Sequence, residues 1–155
     1  MHQDLCKILF DEKQIAERVR ELGAQITEDF KGEEITLVCI LKGSCVFFAD
    51  LMRAIDTNCV LDFMIVKSYG SGTESSGHVR FVKDLDSSIT GKNVIIVEDI
   101  IDSGLTLTFL RNNLITRGAK SLRTCTLLDK PERRTPGAAL HAHYCGFSTP
   151  TTLAS

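Results

Sequence analysis

The sequence predicts an α/β fold, a mostly parallel central sheet flanked by helices. Two observations predict it. Apolar, β-branched runs alternate along the chain with segments whose apolar residues recur at helical spacing. The runs are also continuously apolar, as in strands covered on both faces.

Each element follows from its own pattern. Residues 11–30 read as a helix, with Ile15, Val19, Leu22, Ile26 and Phe30 on one face. Asp11 and Gln14 have capping-box spacing, and Phe10 is placed to staple onto Ile15. The run at 35–41 (ITLVCIL) is a buried strand. Residues 45–56 return to helical spacing, with Cys45, Phe48, Met52 and Ile55 on one side. Residues 59–67 read as a strand. Residues 68–80, rich in glycine and serine, read as a mobile loop with little to bury. Residues 93–99 are a strand and 104–117 a helix, with Leu107, Leu110 and Leu114 inward and Gly118 as its stop. Residues 121–128 and 140–145 complete the strands. No internal repeat interrupts this order, and the expectation is a single domain over 1–155.

Composition narrows the function classes. The net charge of −2 gives no electrostatic case for nucleic acid or an anionic membrane as partner. The six cysteines lack the spacing of a zinc site or a disulfide framework and read as reduced, mostly buried thiols. His2, His78, His141 and His143 show no metal-ligand spacing, although the last two share a face of the expected strand 140–145. The charged N-terminal stretch does not read as a secretory signal, and no apolar run approaches the ~20 residues that span a bilayer. A cytoplasmic protein is expected.

The chemistry gathers at three strand ends: Lys42-Gly43-Ser44, Glu98 to Thr106, and Asp129-Lys130. A parallel sheet brings such ends to one edge, where ligands bind. The turn Asp102-Ser103-Gly104-Leu105-Thr106 opens a helix. Its unpaired N–H groups, the positive helix end and two hydroxyls suit a phosphate, with Ser103 as a plain N-cap the simpler alternative. Two adjacent acids at a strand end, Glu98 and Asp99, should point to opposite sides. Beside a phosphate they repel it unless a divalent cation or a sugar diol intervenes, and a ribose 5-phosphate meets both demands. Asp102 then stands over the sugar, placed to take a proton from an incoming nucleophile.

The stretch VIIVEDIIDSGLT (94–106) resembles the phosphoribosyl-diphosphate signature of the purine phosphoribosyltransferases. LKGSCVFFADL, SYGSGTESSG and TLLDKPERR extend the likeness to the hypoxanthine-guanine (6-oxopurine) members as far as about Phe147. The resemblance implies the type I phosphoribosyltransferase fold and transfer of ribose 5-phosphate from phosphoribosyl diphosphate to N9 of hypoxanthine or guanine. It implies Mg2+ as cofactor and a homodimer or homotetramer.

By the same resemblance, Glu98 and Asp99 meet the ribose diol and the magnesium, and Asp102 accepts the proton at purine N7. Ile100, Ile101, Asp102, Ser103, Gly104, Leu105 and Thr106 line the phosphoribosyl site. Many relatives carry lysine where Leu105 stands, but the site uses the main-chain N–H there. Lys130 is implied at purine O6, and Lys42 and Gly43 at the diphosphate, after a cis peptide Leu41-Lys42. Ser68 and Tyr69 belong to a flap over the reacting centre.

The likeness ends near Phe147. The family pattern places a purine-stacking aromatic where Leu153 stands, then a segment bearing a metal-binding aspartate and a diphosphate-binding arginine. The expectation is a truncated or shifted end, with weakened purine affinity and turnover. The competing readings are a receiver domain and a non-catalytic nucleotide-binding relative. In a receiver the acidic pair belongs at the first strand, and the chain after Asp99 is short for the remainder.

Overall fold

The computed structural model describes residues 10–68, 79–135 and 141–149. Helix α1 (Glu12–Asp29) opens on the expected capping box: Asp11 accepts from the Gln14 N–H, and Gln14 reaches back to the Asp11 N–H. Phe10 and Ile15 each pack against the core, and the Phe10 ring stacks on Phe147 at 3.9 Å, a pairing local spacing does not reveal. The other elements in order are β1 (Ile35–Ile40), α2 (Cys45–Ala54), β2 (Cys59–Ser68), β3 (Val79–Lys83), β4 (Asn93–Ile101), α3 (Leu105–Thr116), β5 (Ser121–Asp129), a 3₁₀ turn (Pro131–Arg133) and β6 (Tyr144–Ser148).

The six strands form one sheet in the order β3-β2-β1-β4-β5-β6. All neighbours run parallel except β2 and β3. The helices divide between its faces. On one side α1 and α2 pack Leu22, Ile26, Phe48 and Leu51 against Leu37, Ile95 and Leu127. On the other, α3 packs Leu107, Leu110 and Leu114 against Val38, Ile96 and Ile101. Burying such large apolar side chains stabilises by roughly 1.5–3 kcal/mol each, which holds both layers to the sheet. The chain leaves β1 toward one face and β4 toward the other, yet β1 and β4 are adjacent. Their carboxyl ends therefore flank a topological switch point, where a crevice opens.

Several expectations shift. Residues 79–83 form β3, antiparallel to β2, overlapping the end of the expected loop 68–80 and continuing where no element was expected. Its alternating burial was masked by the charges of VRFVK. The last strand is Tyr144–Ser148 rather than 140–145, so His141 and His143 precede it. His143 donates its N–H to Thr124 O at 2.9 Å and accepts the Thr124 N–H at Nδ1, 3.1 Å, so its ring fills the position a strand carbonyl would take. Desolvation, then the charges of Arg111 and Arg123, hold this imidazole below its ordinary pKa and keep it an acceptor. In α2 the inward residues are Phe47, Phe48 and Leu51. Cys45 is exposed and Met52 half-buried, because the helix meets both α1 and the sheet and its buried stripe is rotated.

Residues 69–78 of the expected flap, the side chain of Ser68, and the tail from Pro150 with Leu153 lie outside the described residues. Cys39, Cys45, Cys59, Cys125 and Cys145 carry free thiols. No helix among the described residues is long and apolar enough to cross a membrane.

Candidate active site

The site is built on the ends of β1, β4 and β5. β4 runs two residues further than the sequence suggests, to Ile101, so Ile100 and Ile101 are strand residues buried in opposite layers of the core. After Asp102 and Ser103 the chain turns at Gly104, whose φ of 82° lies in the left-handed region that favours glycine. Gly104, not Ser103, caps α3, and no side chain closes the cap. The Ser103 hydroxyl accepts only a long bond, 3.4 Å, from the Leu105 N–H. The first turn of α3 thus keeps its N–H groups for a ligand.

A cavity of about 160 Å³ opens over this turn, lined by Glu98, Ile100, Ile101, Asp102, Ser103, Gly104, Thr106 and Leu107. Leu105 opens α3 but is not in that lining; Asp99 lies in β4 beside Gly43, Lys42 and Gly43 are in the β1–α2 loop, and Lys130 follows β5. Of the sequence-predicted residues, Glu98, Ile100, Ile101, Asp102, Ser103, Gly104 and Thr106 line the pocket, which is confined to the β4–α3 segment.

The two adjacent acids do not diverge as strand alternation predicts. Glu98 Oε1 lies 3.1 Å from the Ser44 hydroxyl. Asp99 faces the neighbouring Gly43, where an added Cβ would sit 3.1 Å from Asp99 Oδ2. Both carboxylates converge on the β1–α2 loop. Pairing with β5 keeps the same register on both sides of the acids, Glu98 with Thr126 and Ile100 with Leu128, and the Asp99 carbonyl accepts from Thr126 Oγ1 at 3.2 Å. Burial, then the charge of Asp99, pushes the Glu98 carboxyl up to about 8, with the Ser44 contact opposing. Asp99 Oδ1 accepts its neighbouring Ile100 N–H at 2.8 Å, while Oδ2 is buried without a hydrogen bond. Among the described residues no three His, Cys, Asp or Glu side chains are arranged to hold a metal alone. The carboxylate pair instead suits a hard cation that takes its remaining oxygens from substrate and water.

The peptide Leu41-Lys42 is cis, as the resemblance implies. The loop after β5 lies against the turn after β4: the Lys130 N–H donates to Ile101 O at 3.0 Å, and the Thr135 N–H to Ser103 O at 2.9 Å. Asp102 Oδ1 is 3.4 Å from Arg133 Nε, in ion-pair range, but makes no hydrogen bond. Ser44 and Asp129 were placed at the working strand ends from sequence but given no role, and Arg133 and Arg134 were not singled out. The paired arginines after Lys130 were the available signal, but whom they bridge depends on the register of β4 and β5.

The phosphoribosyl transferase domain family matches residues 6–140. The chain is 45% identical over 150 residues to a hypoxanthine-guanine phosphoribosyltransferase of Streptococcus thermophilus, covering 97% of this chain and 82% of that protein. It is 47% identical over 97% of its length to the bifunctional protein TilS/HprT of Listeria innocua, of which it spans 23%. A crystal structure of a hypoxanthine-guanine phosphoribosyltransferase from Bacillus anthracis superposes with a TM-score of 0.85 at 53% identity, over 91% of this chain and 82% of that one.

Proposed function

This chain belongs to the phosphoribosyltransferases, in their hypoxanthine-guanine branch, and from that premise we propose how its residues carry out purine salvage. Ribose 5-phosphate passes from phosphoribosyl diphosphate to N9 of hypoxanthine or guanine, giving IMP or GMP and diphosphate. The observation that carries the reading is the uncapped turn Ser103–Thr106, with Gly104 at φ 82°, opening into the cavity beside Glu98 and Asp102.

In this reading the turn's N–H groups and the hydroxyls of Ser103 and Thr106 hold the 5′-phosphate at the positive end of α3. Glu98 and Asp99 accept from the ribose diol and would hold Mg2+. The buried, unbonded Asp99 Oδ2 supports this assignment. When bound, the ion offsets the charge of the departing diphosphate. Lys42 and the Gly43 main chain face that diphosphate. Lys130 donates to purine O6 and so selects 6-oxopurines over 6-aminopurines. As the C1′–O bond to diphosphate breaks and the C1′–N9 bond forms, the proton leaving the purine passes from N7 to the Asp102 carboxylate. Ser68 and Tyr69, at the start of the flap, close over the centre and exclude water. The free thiols of Cys39, Cys45, Cys59, Cys125 and Cys145 support a reducing, cytoplasmic setting.

A non-catalytic nucleotide-binding relative is disfavoured by sequence identity that runs over 97% of the chain. The decisive experiment is a steady-state assay with hypoxanthine, magnesium and phosphoribosyl diphosphate. Continuous IMP formation is expected. Thermal stabilisation by IMP without any turnover would instead make the protein a binding module.

A further inference from the structure

The loop after β5 is fastened to the turn after β4 by one side chain outside the roles assigned above. Arg134 Nη2 donates to Asp129 Oδ1 at 2.6 Å, and Nη1 donates to the carbonyls of Asp102 at 3.0 Å and Lys130 at 3.3 Å. The Arg134 and Asp129 side chains are each only 12% exposed, so these charge-assisted bonds are shielded from water. Asp129 is itself held, its carbonyl accepting the Thr149 N–H at 2.9 Å and Thr149 Oγ1 at 3.3 Å. The guanidinium therefore spans three residues on two loops from a base anchored to the last strand. Its grip on Asp102 and Lys130 is through their main-chain carbonyls and occupies neither functional side chain.

We propose that Arg134 is a positioning residue for the purine half of the site. It fixes the separation between the main chains of Asp102 and Lys130, so that the carboxylate and the ammonium meet N7 and O6 of one rigid planar base together. This rests on the roles given to those two residues under the proposed function. A planar fork with five donors can serve three acceptors at once; a lysine ammonium in its place can keep the charge opposite Asp129 but cannot span the two carbonyls. Misplacement by about 1 Å can cost about a hundredfold in rate, so loss of the fork should be felt in catalysis more than in folding.

The test is Arg134→Lys, with Arg134→Met/Asp129→Leu as a second variant that removes both charges and avoids a buried unpaired carboxylate. In Arg134→Lys the KM for hypoxanthine should rise about tenfold, kcat should fall, and the KM for phosphoribosyl diphosphate should stay within about twofold, with little change in Tm. The second variant should show the same split, more strongly. A purely structural role predicts a lower Tm with unchanged kinetic constants per folded molecule, and that result overturns the proposal. So does a parallel rise in both KM values. Wild-type turnover, measured first, tests the proposed function separately. Should the wild type be inactive, amide exchange decides the positioning claim: faster exchange confined to 102–106 and 130–135 in Arg134→Lys upholds it, and unchanged exchange there overturns it.

Discussion

Asp102 and Glu98 lie four residues apart on one segment and are asked for opposite behaviour. In the proposed mechanism Asp102 receives a proton, so Asp102→Asn, equal in shape but unable to take one, should lower the forward rate by about a hundredfold or more. Binding of phosphoribosyl diphosphate should persist, because the turn assigned to the 5′-phosphate is unaltered. An unchanged forward rate would remove Asp102 from the base role. Glu98 instead retains a proton well above its ordinary value of 4.5, up to about 8, through burial and the neighbouring charge of Asp99. Over that interval the folded protein binds a proton that the unfolded chain has released. The Glu98 contribution to stability is thus fully present below about 4.5, declines as pH rises, and levels off above about 8. Glu98→Gln mimics the protonated form and removes this dependence. In metal-free buffer the unfolding free energy of the variant should gain on the wild type by up to about 1.4 kcal/mol per pH unit between pH 5 and 8. Parallel pH profiles for the two proteins would refute this.

At the scale of an element, the turn into α3 is governed by one glycine. Gly104 sits at φ 82°, where an L side chain costs about 1–2 kcal/mol. Gly104→Ala should destabilise by about that amount, read by denaturant unfolding, and should raise the KM for phosphoribosyl diphosphate more than that for hypoxanthine, because the rebuilt turn redirects its N–H groups. Equal changes in both constants would show that the turn does not serve the phosphate alone. Strand β4 matters in the same way. Its alternation predicts divergent acids, but both carboxylates reach the β1–α2 loop, Glu98 at Ser44 and Asp99 at Gly43.

Across the whole molecule, the switch point between β1 and β4 gathers loops distant in sequence into one ligand-binding edge. A ligand bridging them should stabilise the fold as a unit. Phosphoribosyl diphosphate with magnesium at about 100 times its dissociation constant should add about 2.7 kcal/mol to the unfolding free energy. A flat titration would contradict the assignment of the phosphoribosyl half. The family likeness further leads us to expect two or four copies of the 17.1 kDa chain, and light scattering at micromolar concentration would report a single-chain mass if that expectation is wrong.

The sequence by itself determined the alternation of strands and helices, the inward faces of α1 and α3, the capping box at Asp11, and the phosphate turn with its acids. Each rests on contacts within a few residues, where periodicity and turn chemistry suffice. Only the tertiary structure decided the rest. Strand β3 depends on pairing with β2 across residues 69–78, and β6 on pairing with β5. The approach of Glu98 and Asp99 to the β1–α2 loop, and the bridge from Arg134 to Asp102, depend on which loops the sheet sets side by side. Such features are fixed by partners between 11 and 56 positions away in the chain, and no local pattern of residues encodes which partner that will be.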